Sequence, residues 1–596
     1  MLRRRPIKYR HTGNKRRKRW TIFDFLIISF VLFSIIYLLF SSQIKLLRYA
    51  NLGKSYTLKG NYNKAKEQYN KAIMLKPDNP LIYEGLGLLF NIQDKYDAAK
   101  ISYKKATTLG IKYNRKFNHN VFGEMFIKKG LYKPAAVEFE RALEINPNDV
   151  NAHLGYALAN HALGNINLAI AEYKRALIFK SRNKKIQSLL KRAYKDRDIG
   201  NIAYIYDRNN MPLAKYILES TNNRHIYPYG FNAAHIIGFN TTKYGSYGIE
   251  KEYMRYIPGN KIVLTIDLNF QRIAERSLGG RKGSVVILNP NTGEILAIAN
   301  NPTFNCNRIN TDWNKIIKNK NNPLSNRALE QLYEPGSIFK IITASAIFES
   351  KIDMNSIFPV KCDGYLTLNN LTFRDWRKHD TVESIEKAID ESCNIAFSEM
   401  GFKLGFLKIY EYANKFGFNT QIKTGLQTSM SIIPKNASNE FELANYSTGL
   451  GENFRITPIQ AAMIASAIAN KGTIMQPYLI SEIRNIKDEI VLENSPSVFK
   501  KSITPDTANK IRDLMIAAVE KGTGTLAKVE GLTIAGKTGT SGDSKNGGLH
   551  GWFICFAPAN KPQIAIAILA EKAGPGMYTA APIAKKIISQ ILGYAP

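Results

Sequence analysis

From residue 53 onward the chain repeats itself at an interval of 34 residues, and this limits its fold more than any other feature. Gly53, Gly60, Tyr62, Ala65, Tyr69, Ala72 and Pro77 return as Gly87, Tyr96, Ala99, Tyr103 and Ala106. After a two-residue insertion they return as Gly123, Gly130, Tyr132, Ala135, Phe139, Ala142 and Pro147, and a weaker fourth copy holds Ala157, Gly164, Ala169, Tyr173 and Ala176. A unit of this length has room for a pair of helices but cannot bury its apolar face alone, so successive copies must stack into a quasi-linear array. The pattern predicts an all-α solenoid over residues 46–195, with a closing helix from about Lys184 to Tyr194 because a terminal repeat needs a polar outer face.

These spacings resemble the tetratricopeptide repeat, in which small residues let paired helices approach and aromatics fill the space between them. The repeated residues are packing positions, so they predict the solenoid and say little about its ligand. An unknown protein or peptide in a concave groove is one use, and a rigid spacer is the other.

Residues 22–40, "IFDFLIISFVLFSIIYLLF", are long enough at 1.5 Å per residue to cross about 30 Å of hydrocarbon. Ten of the first nineteen residues are Lys or Arg. A basic segment over 1–20 and an anchor over 21–41 are therefore expected, with the N-terminus cytoplasmic and the remainder outside the inner membrane. The anchor has no A-x-A-like cleavage site after it, which argues against a removed signal peptide. A formal charge of +35 raises the question of nucleic acid, but outside the first nineteen residues the excess is scattered without a concentrated stripe, so no nucleic-acid partner is expected. The four cysteines, Cys306, Cys362, Cys393 and Cys555, include no C-x-x-C pair, and the eight histidines include no H-E-x-x-H. No metal and no cofactor are expected, although one disulfide remains open.

Alternating apolar patterns take over at residue 283. "GSVVILNPNTGEILAIANN" reads as a hairpin about Asn-Thr-Gly, and "GWFICFAPA" and "QIAIAILAEK" read as two buried strands before a helix from about Tyr578 to Leu592. Helical patterns such as "TPIQAAMIASAIANKG" lie between, with Pro458 in a first turn and Gly472 at a C-cap. Strands from both ends with helices inserted imply one mixed sheet with a helical lobe. "YEPGSIFKIITASAIFES" is apolar all round, as in a buried helix, yet carries Lys340 one turn after Ser337. Ser-x-x-Lys alone is uninformative, since it occurs seven times. Only Ser337 heads an apolar helix after Pro-Gly and is followed by Ser392-Cys393-Asn394 and then Lys537-Thr538-Gly539-Thr540. Lys423-Thr424-Gly425 comes too soon after Asn394 to leave room for the lobe.

The three motifs in this order resemble penicillin-binding proteins and serine β-lactamases. "PLSNRALEQLYEPGSIFKIITA", "SCNIAFSEMGFKLG", "GENFRITPIQAAMIASAIANKGTIMQPYLI" and "GTGTLAKVEGLTIAGKTGTSG" are similar to class B penicillin-binding proteins, the monofunctional D,D-transpeptidases. Weaker similarity runs through 200–270. The resemblance implies a multidomain chain: transmembrane helix, repeat solenoid, a short class B pedestal over 196–260, and over 261–596 an α/β transpeptidase domain with a mainly antiparallel sheet and a helical lobe. Residues 41–195 are spent on repeats, which leaves no room for the glycan-polymerising domain of bifunctional relatives.

A serine hydroxyl needs a base, and a lysine serves only when neutral. Bringing a lysine from about 10.4 to near 7 costs the cation roughly 4 to 5 kcal/mol, which burial and a second cation can supply. Ser337 is thus expected to be acylated, with Lys340 its base and Lys537 the second cation. Lys537 and Gly539 share a strand face, so Lys537 should enter the cleft while Gly539 leaves substrate room along the strand. The resemblance further implies that Ser392 passes a proton to the departing amine and that Asn394 steadies Lys340 and the substrate. It also implies that Thr538 and Thr540 hold the stem-peptide carboxylate, and that the N–H groups of Ser337 and Thr540 form an oxyanion hole. Stem peptides are then the substrate, β-lactams the inhibitors, and a membrane glycan polymerase a partner. A β-lactam hydrolase or sensor of the same fold, or a scaffold with a dead enzyme, are the alternatives. "FELAN", with Glu442 and Asn445, faintly suggests a deacylating glutamate but sits in an ordinary transpeptidase setting.

Overall fold

The computed structural model describes residues 43–93, 95–109, 118–199, 202–217, 224–257, 260–368, 370–485, 487–542 and 548–594. The expected basic segment and membrane anchor lie outside the described residues. Among the described residues no helix is long and apolar enough to cross a membrane. The chain divides into two compact units, residues 1–122 with 137–147, and residues 123–136 with 148–596.

In the first unit the 34-residue period appears as helices Tyr62–Leu75, Pro80–Ile92 and Tyr96–Thr108. Ala65, Tyr69 and Ala72 form one buried stripe, the spacing that places residues on a single helix face. A methyl on Gly53 would meet the Tyr69 ring at 2.6 Å, which explains a small residue opposite an aromatic one. This unit also buries a charged centre that the repeat pattern does not announce. The His119 ring bridges two carboxylates, Nδ1 at 2.7 Å from Glu138 and Nε2 at 2.9 Å from Glu84, and Arg141 pairs with Glu84. The same pairing returns 34 residues later, with His153 Nδ1 at 2.6 Å from Glu172.

The second unit contains helices Val150–Ala162, Ile166–Phe179 and Lys184–Ile199. The last is longer than the Lys184–Tyr194 helix expected, because the sequence offers no helix breaker before Gly200. The segment expected as a short pedestal holds the strands Ile202–Tyr206, Pro212–Ile217 and Arg224–Ile226 and, after them, the two-stranded hairpin Phe239–Thr241 and Gly245–Tyr247. The first three belong to a six-stranded sheet completed by Lys261–Leu264, Ile480–Arg484 and Ile490–Glu493.

The principal sheet has strands β1 (Gly283–Leu288), β2 (Ile295–Asn301), β3 (Ala535–Ser541), β4 (His550–Ala557) and β5 (Ile564–Ala570). Their order is β3-β4-β5-β1-β2, and every pairing is antiparallel, so the strand pattern's mixed sheet gives way to the mainly antiparallel one that the resemblance implied. Four helices frame the sheet and its cleft: α1 (Lys340–Glu349), α2 (Asn394–Leu404), α3 (Pro458–Ala469) and α4 (Ala581–Leu592). All residues of β1 and β5 are buried, because helices cover both faces of the sheet. Alternate residues take opposite sides: Val286, Ile554 and Ala567 join the core with α1 and α3, while Val285, Phe553 and Ile566 join the core with α4. Thr457 caps α3 through Gln460 N, with Pro458 following.

Candidate active site

Ser337 lies on a single 3-10 turn, Gly336–Phe339, that runs into α1. In a 3-10 turn residues three apart eclipse, which puts positions 337 and 340 on one side. Gly336 has φ +59, and a side chain there would collide with the Thr540 carbonyl, so the serine's turn lies directly against β3. Ser337, Ser392, Asn394, Thr538, Gly539 and Thr540 all line one cavity of about 430 Å³. Three distant stretches of sequence are thereby brought to one cleft.

Both lysines are fully buried behind its wall. Lys340 Nζ donates to Ser392 O at 2.6 Å and to Asn394 Oδ1 at 2.7 Å, and it lies 3.4 Å from Ser392 Oγ. Lys537 Nζ donates to Ser392 Oγ at 2.8 Å and to Thr538 O at 3.1 Å. The Ser392 hydroxyl therefore stands between the two amines. Among the described residues no hydrogen bond joins Lys340 to the Ser337 hydroxyl, contrary to the simplest reading of their spacing; the amine turns toward the Ser392–Asn394 segment instead.

Burial depresses Lys340 from 10.5 to about 8, and the Asp375 carboxylate limits the fall. Burial also drives Lys537 well below 10.5, with the Lys340 charge adding to it and only Asp390 opposing. Both amines are thus lowered, as a lysine base requires, but they differ: the Asp375 carboxylate limits the fall at Lys340, whereas the Lys340 charge deepens it at Lys537. The cause is the carboxylate, which the motifs do not contain.

Asp375 organises the middle motif. Its Oδ2 accepts from Asn394 N at 2.7 Å and Ile395 N at 3.3 Å, satisfying the first amides of α2, where a negative charge is favoured. Burial opposes its charge, but the His379 contact and the Lys340 cation win and hold it down at about 2. Ser392, immediately before, adopts φ +54, a left-handed conformation that is costly for a residue with a side chain. Cys393 Sγ accepts from Ala396 N at 3.3 Å.

Gly539 lines the cavity and has a second neighbour to accommodate. A Cβ there would meet Ile338 Cγ2 at 2.9 Å and Trp552 Cβ at 3.1 Å, so the missing side chain makes room for the serine's own turn as well as for the cleft. Thr538 Oγ1 lies 2.7 Å from Thr523 Oγ1, and Thr540 Oγ1 accepts from Gly576 N at 3.3 Å. Thr523 also lines the cavity, with Trp376 beside it; neither was singled out from sequence. The second Lys-Thr-Gly is in a loop where Thr424 O accepts from Leu479 N at 2.9 Å. Asn439 caps helix Glu440–Thr448 by accepting from Glu442 N at 2.9 Å, and the Glu442 carboxylate accepts from Ser438 N at 2.7 Å, one residue before the cap.

Sequence spacing also hid a set of metal-capable donors. Cys362 Sγ, Asp375 Oδ2, His379 Nδ1 and Cys393 Sγ lie within 4.8 Å of one another. Cys362 is 3.4 Å from both the Asp375 oxygen and the His379 nitrogen, and the latter two are also 3.4 Å apart. Tetrahedral zinc bonds of about 2.0 to 2.3 Å give donor separations of about 3.3 to 3.8 Å. The residues therefore fit Zn2+, where no metal site was expected, because Cys362, the Asp375–His379 stretch and Cys393 contain no C-x-x-C or H-E-x-x-H pair.

Residues 283–592 match the family described as penicillin binding protein transpeptidase domain, and residues 53–94 and 126–184 match tetratricopeptide repeat families. Similar curated proteins include the peptidoglycan D,D-transpeptidase PbpA of Mycolicibacterium smegmatis, 32% identical over 53% of this chain and 68% of that protein. MrdA of Acinetobacter baumannii is 31% identical over 55% of this chain and 53% of its own length. Among solved structures, a D,D-transpeptidase domain from Eggerthella lenta superposes with TM-score 0.63 at 30% identity, covering 66% of this chain and 98% of that one. Penicillin-binding protein A of M. tuberculosis, solved as an imipenem acyl-enzyme complex, gives TM-score 0.61 at 25% identity, covering 66% and 98%.

Proposed function

Because the chain belongs to the penicillin-binding-protein transpeptidase family, we propose that it is a serine D,D-transpeptidase that cross-links peptidoglycan stem peptides and is acylated by β-lactams. The observation that carries this reading is the convergence of Ser337, Ser392 and Asn394 on one cavity, with two buried lysines meeting at the Ser392 hydroxyl.

Ser337 Oγ attacks the carbonyl of the penultimate D-alanine, and neutral Lys340 takes its proton. For Lys340 to be neutral its proton must leave, and Ser392 Oγ, 3.4 Å from Lys340 and 2.8 Å from Lys537, offers the route. Ser392 then protonates the departing D-alanine amine. Asn394 holds Lys340 in place through its Oδ1. The N–H groups of Ser337 and Thr540 stabilise the tetrahedral oxyanion. Thr538 and Thr540, joined by Thr523, receive the terminal carboxylate. The acceptor amine of a neighbouring stem peptide resolves the ester and regenerates Ser337. Zinc held by Cys362, Asp375, His379 and Cys393 would supply a rigid cross-link behind the Ser392–Asn394 turn.

The basic and apolar N-terminal sequences support a single-pass anchor at 21–41, with the catalytic domain outside the cytoplasmic membrane, where the substrate and a glycan polymerase are found together. The repeats give this enzyme a groove for a protein or peptide. A chromogenic β-lactam tests the chemistry: a stable stoichiometric adduct is expected, and sustained hydrolysis would overturn the assignment in favour of a β-lactam hydrolase.

A further inference from the structure

Glu334 stands two residues before Gly336, and its side chain takes no part in the acyl-transfer steps. It is half-buried, and its two carboxylate oxygens reach two different walls of the cleft. Oε1 accepts from Gly451 N at 3.0 Å, next to Leu450, which lines the cavity. Oε2 accepts from Gly542 N at 3.3 Å, just beyond the C-terminal end of β3 and also lining the cavity. Its main-chain oxygen accepts from the Trp552 indole at 3.1 Å, on β4.

The surrounding backbone defines what the side chain adds. Tyr333 and Ile456 exchange backbone bonds of 3.0 and 2.7 Å, and Gly336 N donates to Gly449 O at 2.8 Å, so the 449–456 segment is already fastened to the approach to Ser337. No backbone bond of that kind joins the approach to the far end of β3 among the described residues; there the turn rests against Thr540 by contact at Gly336. A carboxylate accepting from two amides makes bonds roughly twice as strong as neutral ones. It fixes the distance between the segment carrying Ser337 and the strand carrying Thr540.

We propose that Glu334 is a positioning residue for the oxyanion hole: by holding Gly451 N and Gly542 N at once, its carboxylate sets the separation of the Ser337 and Thr540 N–H groups. This rests on the transpeptidase reading and adds a residue to it. An oxyanion hole acts only on charge that develops in the transition state, so loosening it slows acylation without weakening the first encounter with the ligand.

The test is stopped-flow acylation of the purified protein by a penicillin, resolving the dissociation constant K of the first complex from the acylation rate k2. It is run for wild type, Glu334→Ala, Glu334→Asp and Glu334→Gln, beside the affinity of a boronic acid whose tetrahedral adduct places an oxygen in the hole. In Glu334→Ala, k2 should fall about tenfold and boronate affinity by a similar factor, with K unchanged, since complete loss of one oxyanion donor costs hundreds-fold. Glu334→Gln, which keeps the volume and one accepting oxygen, should retain the melting temperature and lie between, as should the shorter Asp. Wild-type k2 and boronate affinity in both Ala and Gln variants would overturn the proposal. So would parallel losses of K, k2 and melting temperature with boronate affinity intact, the pattern of general loosening. If wild type itself is not acylated, the transpeptidase reading fails instead, and the two failures are distinct.

Discussion

The pH dependence of acylation is set by the electrostatics of the paired lysines. Lys340 is held at about 8, and it acts as a base only when neutral. At pH 7 about one-tenth of it is neutral, and at pH 6 about one-hundredth. The acylation rate should therefore rise about tenfold per pH unit up to about 8 and level off above it, giving roughly a hundredfold span between pH 6 and pH 9. The sign comes from which form works: a base whose affinity for protons is lowered gains activity as pH rises through that lowered value. The assay is single-turnover acylation by a fluorescent penicillin between pH 6 and pH 9.5, with melting temperature recorded at each pH. Lys537→Met separates the two amines, since it should slow acylation by removing the partner of Ser392 Oγ while leaving the limb near 8. A flat profile from pH 6 upward would refute the reasoning, as would a limb that disappears in Lys537→Met, which would make Lys537 the titrating base.

Other expectations come from the same geometry. Gly336→Ala forces a methyl against the Thr540 carbonyl at φ +59 and should cost about 1 to 3 kcal/mol of stability or displace Ser337, read by thermal melting and penicillin labelling. The four donors Cys362, Asp375, His379 and Cys393 should hold one zinc per chain by elemental analysis, and Cys362→Ser should weaken retention during chelator dialysis by at least tenfold. In the repeat unit burial opposes a charged His119, but Glu138 and Glu84 prevail and raise it to about 9. Its stabilisation of about 3 kcal/mol is fully present below pH 6.5 and lost as pH rises through 9, so hydrogen exchange of helix Pro80–Ile92 should quicken across that window. Exchange that does not change with pH, beyond its intrinsic rate, would contradict it.

What the sequence disclosed and what it withheld divide along physical lines. Periodicity reports burial, so the repeat helices and strands β1, β2, β4 and β5 were legible wherever one face or both are covered. The three motifs were legible because their order and context, an apolar helix after Pro-Gly and a Lys-Thr-Gly strand, are local. Asp375 was not, since its effect on Lys340 and its hold on Asn394 N arise from a residue 19 positions upstream with no pattern around it. The same holds for the cysteine, histidine and aspartate group, assembled from three places, Cys362, Asp375 with His379, and Cys393, and for Thr523, which meets Thr538 only once β3 is in place. The fields on the two lysines were hidden for the same reason: charge on a buried amine depends on carboxylates brought in by folding, here Asp375 for Lys340 and Asp390 for Lys537.

The most direct test of the central claim, that Ser337 is the acyl-accepting nucleophile of this cleft, is mass spectrometry of the intact and proteolysed protein after reaction with penicillin. One adduct per chain is expected, on the peptide containing Ser337, and none in Ser337→Ala. An adduct on another residue, or labelling that survives Ser337→Ala, would contradict the account.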